Sequence, residues 1–262
     1  MCRAFARRNL RQVYRLTLID LGLFPEETML QLDVGGLSVK GRFAALALAG
    51  AMLVVGTAAA AKAPTTWDGL VLTKSKRLET VYLQPGADFR GYTKVIVEPT
   101  EIAFAKNWQR DYNRSSVSLG SRISDREVQE AVTKGVTAAS DIFSQAWTKG
   151  GYEVVSTPGP DVLRVKTGIV NVRVNAPDRQ TAGRTHSFSQ EAGQATLFVE
   201  ARDSLTGALL GRAVDPRVIG DSLAMYRDSV TNRGDFRDQV QKWADISVRG
   251  VTELKSLSPV KP

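Results

Sequence analysis

Few residues in this chain of 262 could carry out chemistry. It has one histidine, His186, and one cysteine, Cys2, which excludes sites built on several histidines, a thiolate metal cage, a thiol redox pair and an internal disulfide. His186 lies in a Ser/Thr/Gln-rich stretch, where a solvated loop histidine is favoured over a general base, because a base needs an orienting partner and a nucleophile. An unrecognised hydrolase remains an alternative, and it would require His186 and a carboxylate to converge in one pocket.

One stretch combines aromatic and basic residues. Residues 104–123 are polar, lack a sustained hydrophobic period and predict a long exposed loop. The candidate binding residues in it are Lys106, Trp108, Arg110, Tyr112 and Arg114. Such a patch suits an anionic glycan, a lipid headgroup or a partner protein. The alternative is a solvated loop whose two aromatic side chains pack onto the core.

The remaining candidates indicate structure rather than chemistry. Two pairs of carboxylates fall in the first turns of predicted helices, where capping and the helix dipole explain them better than hydrolysis. They are Asp125, Glu127, Asp235 and Asp238. No glycines have the spacing of a phosphate-binding loop, and the stripe of Phe143, Trp147 and Trp243 is typical of a core. We therefore predict no catalytic residue, no cofactor and no metal.

Two helices are predicted to support any site. Ser124 and Glu127 form a capping box, and apolar residues then repeat every three or four positions up to Gly150-Gly151. The second helix is predicted to begin at Asp235 and to end before Pro259.

The strands follow from alternation and turn residues. We predict a strand over 94–104 interrupted at Pro99, a short strand over 152–156, and a hairpin whose turn lies at 203–207. In 162–175 the apolar residues change parity near Gly168, which predicts a β-bulge. The prediction is an α+β fold, a mainly antiparallel sheet of about five strands with two long helices on one face.

The segment 39–61 has the pattern of a secretory signal peptide. Lys40 and Arg42 precede an apolar run, and small residues follow with a cleavage site after Ala61. An uncleaved inner-membrane anchor is the alternative, because the uncharged run approaches the length of a membrane span. We predict a periplasmic or secreted protein without a membrane span after cleavage. No lipid anchor is expected either, because no cysteine stands near the cleavage site.

Three further segments complete the predicted organisation. Residues 1–38 precede the leader and are interpreted as a non-native upstream extension, with an organelle transit peptide as the alternative. Residues 62–92 contain several turn residues and predict an irregular lead-in, and 93–258 predict a single domain. The whole chain has a net charge of +8, of which residues 1–61 account for three, so the mature protein is only mildly basic. Nucleic acid is therefore not an expected partner.

Several motifs resemble a known family. They are V-x-V-E-P at 95–99, S-D-x-E-V at 124–128 and A-R-D-S-x-T-G-x-L at 201–209. With the leader, these motifs resemble a bacterial envelope family known only as a domain of unknown function, many of whose members are described as lipoproteins. The resemblance covers about residues 66–257. The hairpin motif is also similar to that of small periplasmic α+β accessory lipoproteins, which implies a similar fold.

The predicted function is that of a non-enzymatic, exported accessory protein of the bacterial envelope. It would bind an unknown envelope protein or self-associate through a sheet edge or the 104–123 loop. The alternative is recognition of an anionic envelope component, peptidoglycan or lipopolysaccharide, by the basic residues of that loop. Salt-sensitive binding would distinguish this alternative from an apolar protein interface.

Overall fold

The structure is a computed structural model, and it describes most of the chain after the predicted leader. The described residues are 63–116, 122–175, 187–189, 192–220, 225–227 and 229–261. The upstream extension, the predicted signal peptide and His186 lie outside them. Within these residues, no helix has both the length and the apolar character needed to span a lipid bilayer.

Nine of the described strands form one sheet, in the order β1-β2-β3-β10-β9-β7-β4-β6, with β5 paired to β7. They are β1 (Thr66–Trp67), β2 (Leu70–Thr73), β3 (Thr80–Leu83), β4 (Lys94–Val97), β5 (Glu101–Phe104), β6 (Glu153–Val154), β7 (Val162–Val174), β9 (Gly193–Asp203) and β10 (Leu209–Ile219). The strands β8 (Ser187–Ser189) and β11 (Met225–Arg227) pair separately. All pairs from β1 to β7 along this order are antiparallel, whereas β4 and β5 join β7 in parallel.

The described helices are α1 (Trp108–Ser115), α2 (Asp125–Lys149) and α3 (Ser229–Leu257). The predicted capping box is confirmed, because the Ser124 side chain accepts from the Glu127 backbone N–H and the Glu127 side chain accepts from the Ser124 N–H. The predicted start of the second helix at Asp235 is wrong, because α3 already begins at Ser229. Its predicted end before Pro259 is confirmed.

The α+β class is confirmed, although the sheet has more strands than the five expected. Both long helices bury apolar residues in one core with the sheet, including Phe143 of α2 and Trp243 of α3. Leu163, Val165 and Leu197 are the sheet residues at the centre of that core. The two-layer arrangement follows because each amphipathic helix has to cover its apolar stripe with the apolar face of the sheet.

The predicted β-bulge in β7 is confirmed, and it lies at Asn171 rather than at Gly168. The pairing with β9 shifts between Val170 and Arg173, and Asn171 has a left-handed φ of 53°. Beside the bulge, Gly193 approaches β7 so closely that a Cβ atom would lie 1.9 Å from the Arg173 carbonyl oxygen. Glycine is therefore the residue that fits this position.

The prediction of an irregular lead-in over 62–92 is wrong, because β1, β2 and β3 extend the sheet there. The reason is a long-range contact that a local sequence pattern does not show. The ring of Trp67 lies 4.0 Å from the guanidinium carbon of Arg212, which is buried and donates to Glu200 at 2.9 Å. The first hairpin therefore covers a charged pair on the sheet face opposite the long helices.

Candidate functional site

The predicted binding loop is not a long irregular loop, because eight of its residues form the helix α1. Trp108 is only 8% exposed, stacks on Phe104 with 4.5 Å between ring centroids, and donates from its indole nitrogen to the Val174 carbonyl at 3.3 Å. Tyr112 packs on Trp108 with 6.0 Å between centroids. The two aromatic side chains therefore anchor α1 to the sheet, as in the alternative interpretation of the sequence.

The basic residues of this segment lie apart from its aromatic residues. Lys106, Arg110 and Arg114 are exposed, and Arg110 forms an ion pair with the neighbouring Asp111 at 3.0 Å. The structure thus does not bring the five predicted residues together as one aromatic-basic patch. The predicted role of the three cations in binding stays a prediction.

A large cavity lies elsewhere, between the C-terminal half of α3 and the sheet. We call it the helix–sheet cavity, and its volume is about 950 Å³. Most of its wall is apolar and comes from α2, α3 and four strands. Its inner residues include Leu83, Phe89, Trp147, Val165, Val199 and Val251. This volume falls within the range of small-molecule sites, which are concave and mostly apolar.

The mouth of the helix–sheet cavity is basic. The connection between β2 and β3 contributes Lys74, Lys76 and Arg77, and the C-terminal segment contributes Lys261. Arg77 donates from its Nε to Glu253 at 3.0 Å, which ties this connection to α3. That bond raises the pKa of Arg77 and lowers the pKa of Glu253.

Trp147 is the unusual residue of the cavity wall. Its side chain is 1% exposed, and its buried indole N–H has no hydrogen-bond partner in the part of the chain that the structure describes. The hydroxyl of Tyr152, whose ring meets Trp147 edge-on at 4.9 Å, is also buried without a partner there. Most buried polar groups in proteins are hydrogen-bonded, so these two neighbouring unpaired groups are exceptions.

A second, smaller concavity lies beside the β7 bulge, and we call it the bulge groove. It has a volume of about 420 Å³, and its lining includes Lys106, Arg173 and Arg217. Arg217 forms an ion pair with Asp215 at 2.8 Å, which raises the pKa of Arg217. The groove lining includes no carboxylate among the described residues, so its charge is positive.

The helix–sheet cavity could not be predicted from the sequence, for two reasons. Its mouth falls in the segment that was predicted to be irregular, although the basic run at 74–77 between two β-rich stretches is a signal for an exposed hairpin connection. Its wall uses Trp147, which was correctly predicted as a core residue. A core residue cannot be recognised as a cavity residue until its neighbours are placed.

Among the described residues, no group of three or more His, Cys, Asp or Glu side chains could hold a metal ion. The cavity lining likewise contains no histidine and no cysteine, and Glu253 is its carboxylate. What the cavity residues provide is an apolar wall and a basic mouth.

Comparisons with other proteins give a family and weak structural likenesses. The sequence profile described as "Protein of unknown function (DUF3313)" matches residues 62–246. None of the curated proteins matches the chain in sequence. A solved Xanthomonas campestris protein of the DUF330 family is 12% identical over 66% of this chain and 91% of its own, at a TM-score of 0.32. A PelC dodecamer from Paraburkholderia phytofirmans is 11% identical over 62% of this chain and 96% of its own, at a TM-score of 0.30.

Proposed function

The chain belongs to DUF3313, a family of proteins of unknown function, and from that premise we propose that it is an exported accessory protein of the bacterial envelope that acts by binding rather than by catalysis. Its binding site is the helix–sheet cavity. The leader pattern at 39–61 supports export to the periplasm or beyond, and the scarcity of catalytic residue types supports a binding role.

The observation that carries this proposal is the combination of space, apolar wall and basic mouth in one place. This space of about 950 Å³ opens to solvent, and apolar side chains at its rim, such as Leu257, which is 66% exposed, lie against water rather than against other side chains. Unfilled apolar space destabilises a protein, because the wall atoms lose dispersion contacts on one side. A bound molecule that fills the cavity would restore those contacts.

A second candidate function is recognition of an anionic envelope component in the bulge groove. This refines the sequence alternative, since Lys106 lines the groove together with Arg173 and Arg217. The observation in its favour is a basic lining without a carboxylate. A salt-dependent affinity for peptidoglycan or lipopolysaccharide fragments, reduced by Lys106→Glu and Arg173→Glu, would support this function.

Binding of an envelope protein, or self-association through a sheet edge, also stays a proposal. The two ends of the main strand order are β1 and β6, which have two residues each. Such short edges offer few free backbone groups for pairing with another strand. For this reason the cavity, rather than an edge, is our first choice for the binding site.

The experiment is recovery of the protein from its native host together with any bound molecule. Host fractionation and intact-mass analysis should find a periplasmic or secreted species that begins close to residue 62. Organic extraction of that species, followed by mass spectrometry, should release a small molecule in stoichiometric amount.

Two glycine variants on α3 provide the matched control. Gly250 lines the cavity and Gly234 lies exposed, and a Cβ added at either would meet nothing within 4 Å. Gly250→Leu fills part of the cavity and should abolish recovery of the molecule, whereas Gly234→Leu should not. A cytoplasmic full-length species would contradict export, and equal recovery from both variants would contradict the cavity as the site.

A further inference from the structure

We propose that the helix–sheet cavity takes a single-chain anionic lipid, with the acyl chain along the apolar wall and the anionic head at the basic mouth. This inference rests on the proposed function and names the ligand class of the same site. It commits to a lipid monomer held in the cavity, rather than to a membrane surface.

The apolar lining of the cavity is the reason for proposing an acyl chain. Branched aliphatic and aromatic residues form the largest group in the lining, and the buried side chains among them come from the central core. At the rim, Leu257 is 66% exposed, so an apolar path continues from the interior to the mouth. An elongated apolar group fits such a path better than a compact polar ligand does.

The positive charges at the cavity mouth are the reason for proposing an anionic headgroup. Glu253, the carboxylate of the lining, already pairs with Arg77. In the described part of the chain, Lys74, Lys76 and Lys261 form no salt bridge, and all three are exposed. Their long side chains can keep the ammonium groups in water while the stems border the apolar opening, so a negative headgroup there is complementary.

The test measures binding of two lysolipids to the purified mature protein by native mass spectrometry and calorimetry below their micelle concentrations. The probes are palmitoyl lysophosphatidylglycerol, which is anionic, and palmitoyl lysophosphatidylcholine, which is zwitterionic. We expect one molecule of the anionic lipid per chain, and weaker binding of the zwitterionic lipid. Gly250→Leu should reduce binding of both, and Gly234→Leu should reduce neither.

A charge-reversal pair tests the position of the head. Lys74→Glu/Lys76→Glu should weaken binding of the anionic lysolipid about five- to tenfold, with a much smaller effect on the zwitterionic one. The control is Lys134→Glu/Lys242→Glu, which makes the same change of charge at exposed lysines outside the cavity lining. Equal weakening by both pairs, or equal affinity for both lipids, would overturn the assignment of the head to the mouth.

If neither lipid binds the wild type while Gly250→Leu still loses a native molecule, the ligand class is wrong and the cavity remains the site.

Discussion

Two tryptophans on the two long helices are equally buried, but their indole N–H groups differ in hydrogen bonding. Trp243 of α3 is 0% exposed and donates from Nε1 to the Asp215 carboxylate at 2.8 Å. Trp147 of α2 is 1% exposed, belongs to the same apolar core, and has no partner for its N–H among the described residues. The sheet therefore supplies an acceptor to Trp243, whereas Trp147 lies in the wall of the helix–sheet cavity.

The acceptor of Trp243 is part of a larger hydrogen-bond network. Asp215 also accepts from Arg217 at 2.8 and 2.9 Å and from the Glu79 backbone N–H at 2.9 Å, so one buried carboxylate of β10 joins α3, its own strand and the connection before β3. Trp147 instead packs on the ring of Tyr152 and on core residues, and neither its N–H nor the Tyr152 hydroxyl has a partner among the described residues. The Trp243 region is therefore expected to contribute more to stability, whereas the Trp147 region borders the cavity for which we propose a binding role.

The largest expected effect comes from removing the acceptor of Trp243. Asp215→Ala leaves the Trp243 N–H, the Glu79 N–H and the Arg217 guanidinium without their common partner. Arg217 is half exposed and stays solvated, but each donor left without its acceptor costs about 1–3 kcal/mol, so the free energy of unfolding should fall by about 3–5 kcal/mol in all. Urea unfolding of the mature protein, followed by tryptophan fluorescence and circular dichroism, measures the loss.

The control for that prediction is an exposed ion pair. Asp111→Ala removes the partner of Arg110, and both side chains are more than half exposed, so the loss should stay below about 1 kcal/mol. If Asp215→Ala and Asp111→Ala had similar effects, the Trp243 region would not be the stabilising region that we describe.

The second prediction compares the two tryptophans directly. Trp243→Phe and Trp147→Phe remove similar buried volume, so their packing losses largely cancel when one is subtracted from the other. Trp243→Phe also removes a hydrogen bond to a charged group, and should therefore cost about 1.5–3 kcal/mol more than Trp147→Phe. The measurement is urea unfolding of both variants after delipidation.

Delipidation matters because a bound ligand would hide the difference. A molecule bound to the native state stabilises it by mass action, and Trp147→Phe would then lose part of that stabilisation. Equal losses for the two delipidated variants would mean that the Trp147 N–H has a partner in solution, and the comparison would fail.

The third prediction tests whether polar contacts near the cavity stabilise the fold. Near it, Tyr92 donates to Asp203 at 2.9 Å, and burial first, then this bond, raises the pKa of Tyr92. The backbone N–H of Thr206, at 2.7 Å, is the main cause of the lowered pKa of Asp203. Asp203→Ala should cost about 1–2 kcal/mol at neutral pH, because the Leu205 and Thr206 donors of the turn and the Tyr92 hydroxyl lose their acceptor.

The pH dependence of this variant follows from the sign of the shift. A carboxylate whose pKa is lowered in the folded state contributes stability above its unfolded pKa of about 3.9, and loses it as the pH falls through the folded value. The difference between wild type and Asp203→Ala should thus be constant at neutral pH and shrink in acid. Asp88, with a pKa lowered to about 2 by its bond from Arg90, titrates alike in both proteins. A difference that grows in acid would contradict this account.

Local signals explain which parts of the fold were predictable. The capping box of α2 involves Ser124 and Glu127 only three residues apart, and the β9–β10 turn is closed by Asp203 bonding to Leu205 and Thr206. Contacts this close in sequence can be recognised from residue type and spacing. The helix α2 and the β9–β10 hairpin are therefore predictable from the sequence.

The missed elements depend on distant contacts. The helix α1 has no side-chain bond at its N-cap, where Asn107 has a φ of 64°, and packing of Trp108 on Phe104 holds it instead. The strand β1 depends on Trp67 reaching Arg212, which is far away in the sequence. The unpaired N–H of Trp147 could not be predicted from the sequence either, because the lack of a partner depends on every residue that surrounds the indole.

The smallest expected effect tests whether the space near Trp147 is open in solution. Gly250→Ala and Gly234→Ala each place a Cβ where nothing lies within 4 Å, and each replaces a glycine within α3. Both should stabilise the delipidated protein by about 0.5–1 kcal/mol, because alanine is the better helix former. Gly150→Ala is the opposite control, since its Cβ would lie 2.2 Å from Val248 and should destabilise. If Gly250→Ala behaved like Gly150→Ala while Gly234→Ala stabilised, α3 would lie directly on the sheet near Gly250. The unpaired N–H of Trp147 would then be a packing defect rather than part of a binding site.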